Sequence, residues 1–217
     1  LVNLTRASGR SGARGKGSKW SEYDFASWCA VWLLYLVEFS DWDSQSKIGR
    51  GYVDGNSSAI NSGGTDSMTY HTGRAAGTDG KTAVQYRHIE NPYGNIFEFI
   101  DGINFSDGTV YVCLNPASYA DDTATNYTNI GAKIQNDGYI TAIGVSSAMP
   151  WAFYPTAVGG SETTYIPDCA YCSSGWRVLH VGGSWYDGGY AGLFYFYAYN
   201  TSSYSYSYVG ARLLFHP

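Results

Sequence analysis

A chain of 217 residues with 44% hydrophobic side chains can bury one large core or two small ones. Aromatics at 17% and 27 glycines suit turns and packed sheets rather than a helical bundle. The net charge of −5 offers no basic footprint for nucleic acid, and four cysteines are too few to build a fold of this length from disulfides.

Residues 1–19 hold much of the positive charge, at Arg6, Arg10, Arg14, Lys16 and Lys19. The run RASGRSGARGKGSK is rich in Gly and Ser and reads as a flexible linker. A phosphate-binding arm is the sharper alternative, but no aromatic is interleaved with these cations. The start at Leu1 rather than Met suggests a piece of something longer, and no signal peptide is visible.

Residues 20–217 read as a single domain. Ser21 is a candidate helix cap, with Glu22 and Asp24 in the first turn. Trp28, Val31, Trp32, Tyr35, Leu36 and Phe39 follow at helical spacing. Ala26, Cys29, Ala30, Leu33 and Leu34 fill the other side, so this helix is expected to be buried nearly all round. Its apolar run is too short to span a bilayer.

Asp41 and Asp43 lie in a turn and could hold calcium, but a solvated turn explains them as well. Residues 53–82 are rich in Gly, Ser, Asn and Thr and read as a long loop. Residues 83–90 could form a short helix or a strand. Ile96, Phe97, Phe99 and Ile100 make an apolar strand interrupted by Glu98, which must be paired, hydrogen-bonded or turned outward. TVYVCL, residues 109–114, is a strand by its β-branched and aromatic content. Residues 121–128 read as a polar loop, 139–145 as a strand, and 149–154 as irregular.

Cys169 and Cys172 form a C-x-x-C, which alone could be half a zinc site or a redox pair. No second C-x-x-C or C-x-x-H completes it, and the pair lies between Pro167 and Gly175 rather than at a strand-to-helix junction.

Residues 176–215 interleave two kinds of side chain. Trp176, Trp185, Leu193, Phe194, Phe196 and Leu213 look like scaffold and are expected to be buried. Tyr195, Tyr197 and Tyr199 recur every second residue, as do Tyr204, Tyr206 and Tyr208. In a strand each run would share one face. Tyrosines among Ser, Gly and Asn are also the composition of an antibody paratope, where the ring gives stiff contact at low entropic cost. The plainer reading is that tyrosine favours strands.

Three stretches carry a resemblance. YGNIFEFIDG (residues 93–102) resembles the G-N-V-W-E-W segment of the formylglycine-generating, sulfatase-modifying enzymes. WRVLHVGGSWYD (176–187) resembles their R-V-L-R-G-G-S-W, and VGARLLF (209–215) their closing G-F-R-L. The resemblance implies an α+β, C-type lectin-like (formylglycine-generating-enzyme-like) fold, with short antiparallel strands, a buried N-terminal helix and much irregular loop. Residues 176–217 hold no cysteine, which argues against the oxidase chemistry of those enzymes. The chain is closer to the variable proteins of diversity-generating retroelements, whose C-terminal regions are randomised at fixed surface positions.

That likeness implies a non-enzymatic receptor-binding protein, with a phage tail or fibre tip as its setting and 176–217 as the variable region. The display set is then His180, Ser184, Tyr186, Asp187, Tyr190, Tyr195, Tyr197, Tyr199, Asn200, Tyr204, Tyr206 and Tyr208. The implied partner is a host-surface protein or glycan, with no catalytic residue, metal or cofactor, no nucleic acid and no membrane span. The implied location is the virion tail surface, or otherwise a cell surface, and a homotrimer is the assembly that phage tips suggest. Two rivals remain: an oxidase of the formylglycine-generating type using Cys169 or Cys172, and a calcium-dependent lectin using Asn95 and Glu98.

Overall fold

The computed structural model describes every residue of the chain except 56, 135 and 165. In chain order the elements are α1 (Arg6–Arg14), β1 (Trp20–Glu22), α2 (Phe25–Phe39), α3 (Ser44–Ile48), β2 (Gly73–Arg74), β3 (Val84–Tyr86), β4 (Ile89–Glu90), β5 (Phe97–Ser106) and β6 (Thr109–Val112). Then come β7 (Thr128–Lys133), β8 (Gly138–Val145), β9 (Phe153–Val158), β10 (Cys169–Cys172), β11 (Trp176–Gly182), β12 (Gly192–Ala198), β13 (Val209–Gly210) and β14 (Leu213–Phe215). The chain is mostly β with few helices, a mixed α+β fold.

One large sheet has the order β7-β6-β5-β11-β12-β10-β8-β9, with β13 added on β5. Most neighbours are antiparallel, whereas β10–β12 and β13–β5 are parallel. β1 pairs with β14, and β2, β3 and β4 make a third small sheet. Among its described residues, the long loop expected over 53–82 holds only the two residues of β2. The segment 83–90 is resolved as the strands β3 and β4.

Helix α2 lies against one face of the large sheet. Its cap is Asp24, whose carboxylate accepts the Ser27 N–H at 2.9 Å; Ser21 instead lies in β1. Trp28 packs on Phe196 and Trp32 edge-on against Phe194, and the Trp32 indole donates to the Leu193 carbonyl at 2.7 Å. The expectation of burial all round is corrected: Leu33, Leu34 and Val37 are exposed, because only one side of the helix meets the sheet.

The N-terminal segment also departs from expectation. Residues 6–14 are a helix rather than a flexible linker, with Thr5 as its cap. Arg6, Gly9, Arg10 and Ala13 face inward. Arg6 is fully buried and donates to Asp121, to Asn104 and to the Ile103 carbonyl. Arg10 grips Asp101 with two nitrogens, at 2.6 and 3.0 Å, and reaches Asp121 at 2.6 Å. These cations are therefore spent on internal carboxylates rather than on phosphate. Charge-assisted, forked hydrogen bonds do for this helix what apolar packing does for most.

Glu98 finds its partner across the chain. Arg212 donates to both of its oxygens, at 2.9 and 2.5 Å, and also to the Glu90 carbonyl at 2.7 Å. This pair ties the aromatic strand β5 to the C-terminal segment. Asn95 exchanges two hydrogen bonds with the backbone of Ile60 and so pins the long loop.

Candidate functional site

The far side of the large sheet, away from α2, carries a second and smaller cluster. Alternation explains it. On β12, Phe194, Phe196 and Ala198 join the main core under α2, while Tyr195 and Tyr197 join the other cluster. On β11, Leu179 and Val181 take the first side, and Val178 and His180 the second. On β10, Ala170 and Cys172 take the first, and Cys169 and Tyr171 the second. The parallel register sets Tyr171 beside Tyr197.

These rings form a continuous aromatic face. Phe97 lies 5.5 Å from Tyr195, 5.2 Å from Tyr197 and 6.2 Å from Tyr208, centroid to centroid. Tyr197 continues to Tyr171 at 5.3 Å and to Tyr199 at 5.9 Å. Tyr208 meets Tyr206 at 4.6 Å and Tyr186 at 5.2 Å. The phenols of Tyr204 and Tyr208 are hydrogen-bonded to each other. Tyr190 contacts Tyr139, which packs on the same cluster.

Exposure grades along this face. Tyr195 is 2% exposed, Tyr197 half-buried and Tyr199 49% exposed. Tyr186, Tyr190 and Tyr206 are each exposed by about half, and Tyr204 and Tyr208 are half-buried. Tyr195 is thus corrected from display to core: β12 is an inner strand, and Phe97 covers its first half. The second tyrosine run is not a strand. Residues 201–208 form a turning loop, held by Asn3 N–H to the Tyr206 carbonyl at 3.1 Å and by Phe97 N–H to the Tyr208 carbonyl at 2.8 Å.

Two other display residues, His180 and Ser184, are buried. His180 is fully buried against Phe99, 4.4 Å away, and neither ring nitrogen has a hydrogen-bond partner. Burial drives its pKa down to about 3, so the imidazole is neutral. Ser184 is buried, and its N–H and hydroxyl both donate to Asp187 at 2.6 Å, so the pair closes a turn. Asn200 is half-buried, and its carbonyl accepts the Val178 N–H at 3.1 Å. Among the scaffold residues, Leu193, Phe194 and Phe196 are buried and Trp176 and Trp185 half-buried. Leu213 is 45% exposed, because β14 lies outside the large sheet and pairs only with β1.

Phe97, Tyr139 and Tyr171 belong to the face and were not singled out from the sequence. The alternation in C-A-Y-C carried a signal for Tyr171. Burial pushes the Tyr197 and Tyr208 phenols up to about 12, so they remain neutral hydrogen-bonding groups.

The thiols are poor nucleophiles. Burial raises Cys169 and Cys172 to about 11 each and Cys29 to about 12. All four cysteines are free. Cys169 and Cys172 sit on opposite faces of one strand, about 10 Å apart along it, too far to bridge. The candidate calcium ligands are occupied locally. Asp43 caps α3, Asp41 pairs with Lys47 at 3.0 Å, and Glu98 is taken by Arg212. Among the described residues no three His, Cys, Asp or Glu side chains converge on a common point, and no helix is long and apolar enough to cross a membrane. No protein-family model matches the chain, and no curated protein matches it.

Proposed function

We propose that this chain is a non-enzymatic, sequence-diversified binding protein that contacts a host-surface ligand through its tyrosine face, as a phage tail or fibre tip would. On this reading the fold is C-type lectin-like, and residues 176–217 are a variable region of the retroelement type. The observation that carries it is the continuity of the face: Tyr186, Tyr197, Tyr199, Tyr204, Tyr206 and Tyr208 come from a turn, a strand and a loop and meet in one aromatic network. A binding site must present its anchors together, and hot spots are few, aromatic and central. The exposed loop 201–208 rests on a sheet packed on both sides, a scaffold that tolerates surface change. The oxidase alternative needs a thiolate of lowered pKa, and both C-x-x-C thiols are shifted the other way.

An alanine scan of Tyr186, Tyr199 and Tyr206, read by thermal melting and by host-cell adsorption, tests the proposal. Each change should leave the melt close to wild type, and the central ones should cost about 2 kcal/mol or more of binding. Adsorption per folded molecule that is unchanged throughout would move the binding site elsewhere.

A further inference from the structure

We infer that the partner of the tyrosine face is a cationic protein surface, anchored by Arg or Lys side chains laid over the exposed rings; the inference rests on the reading of that face as the binding site.

The rings of Tyr186, Tyr199 and Tyr206 stand about half exposed. An aromatic ring presents a negative face, which attracts guanidinium and ammonium groups within about 6 Å of its centroid. Carboxylates stand close to these rings. Asp137 is exposed just before β8, where its carboxylate accepts the Cys172 N–H at the C-terminal end of β10 at 2.8 Å, one residue from Tyr171. Asp187 follows Tyr186 in the chain, half-buried and with one carboxylate oxygen taken by Ser184. Asp122 accepts from Ser202 at 2.6 Å beside the tyrosine loop.

Arg177 acts on the Cys172 thiol and donates to Ser173, on the side of β10 away from the rings. Arg6 acts on the buried His180, but it is fully buried and spent on Asp121. The charged side chains that weigh on the phenols of Tyr171, Tyr186, Tyr195 and Tyr197 are Asp137 and Asp187, both carboxylates. Aromatic centre and acidic rim therefore select the same partner. An acidic surface is repelled, a neutral one gains nothing from the rim, and a basic one gains from rim and rings together. The chain's net charge of −5 adds long-range attraction in the same sense.

The test is a selection of random twelve-residue peptides displayed on yeast, using the whole chain as bait at low salt. The expected result is enrichment of Arg and Lys over the unselected library. Binding of the enriched peptides should weaken several-fold between low and high salt, and at least tenfold in Tyr199→Ala or Tyr206→Ala. Asp137→Asn, which keeps an oxygen for the Cys172 N–H, should weaken it several-fold, with circular dichroism melts confirming that each variant is folded. Neutral or acidic peptides that lose binding in the tyrosine variants overturn the cationic partner and leave the face as the binding site. The same holds for capture on a neutral glycan array that Tyr206→Ala abolishes. Basic peptides indifferent to the tyrosine variants overturn the face itself, and selection that enriches no basic residue overturns the inference.

Discussion

Arg212 is the side chain whose loss should be felt furthest. It satisfies both oxygens of Glu98 and two backbone carbonyls, so Arg212→Ala strands a buried carboxylate in an aromatic strand. The expected cost is about 3 kcal/mol, read as a shift of the urea midpoint. A lesser effect than in Tyr206→Ala would show that the pair carries no structural weight. The need for this partner was legible: a glutamate among Phe97, Phe99 and Ile100 demands one. Its identity was not, because spacing along the chain says nothing about a contact between residues 98 and 212. His180 was misread for a related reason, since alternation on β11 shows which side a residue faces but not whether that side is covered. Its burial has a pH signature. The unfolded imidazole takes a proton near 6.5 and the folded one only near 3, so its contribution to stability is complete above about 6.5 and is lost as the pH falls toward 3. His180→Phe should therefore flatten the decline of the urea midpoint between pH 6.5 and 4. Glu22 works in the opposite sense. Burial, then the nearby Asp101, raises its pKa, and neither carboxylate oxygen has a hydrogen-bond partner. Its contribution is present below its ordinary value of 4.5 and is lost as the pH rises through the folded value. Glu22→Gln should remove that loss, so that wild type and variant diverge as the pH rises above 4.5.

Helix α1 is where sequence reading failed most completely, and the cause is physical. A helix is usually recognised by its apolar stripe, and here the inward stripe is Arg6, Gly9, Arg10 and Ala13. The glycines and serines that suggested a linker allow close approach instead: a Cβ on Gly9 would sit 2.6 Å from a Glu22 carboxylate oxygen. Because α1 is held by ions, Arg10→Ala should release it. Limited trypsin digestion at Arg14 and Lys16 should then become fast while the remaining core stays intact, and unchanged digestion would mean that Arg6 alone anchors the helix. The loop 201–208 shows the same limit from the other direction. Its period-two tyrosines fit a strand, yet the turns at 202–203 and 207–208 fold the backbone back. By contrast β6, β8 and the first half of β5 were legible, because β-branched and aromatic residues are dense there.

The large sheet is sandwiched between two clusters of unequal size. The main core under α2 holds Trp28, Trp32, Phe194 and Phe196, and the smaller one holds Phe97, Phe99, Val178 and Tyr195. Tyrosines of one strand thus differ sharply in consequence. Tyr195→Ala empties a site that is 2% exposed and should cost about 3–5 kcal/mol. Tyr199→Ala and Tyr206→Ala should stay within about 0.5 kcal/mol. Equal melting temperatures for Tyr195→Ala and Tyr206→Ala would refute this division. The α+β class was what the resemblance implied, and a chain of packed sheets rather than a helical bundle could be read from composition. The two-sidedness of the sheet could not, since it depends on which strands lie inside the sheet order.

The free thiols on the two sides of β10 supply a clock for the tyrosine cluster. Cys169 belongs to the tyrosine side and Cys172 to the α2 side, and burial raises the pKa of each to about 11. Under native conditions a thiol reagent can label the buried Cys169 only as fast as its surroundings open, whereas the half-buried Cys172 is partly accessible from the start. The labelling rate of Cys169, followed by mass spectrometry beside that of Cys172, would report how often the tyrosine side opens. Occupation of the tyrosine face should slow the labelling of Cys169 and leave that of Cys172 unchanged.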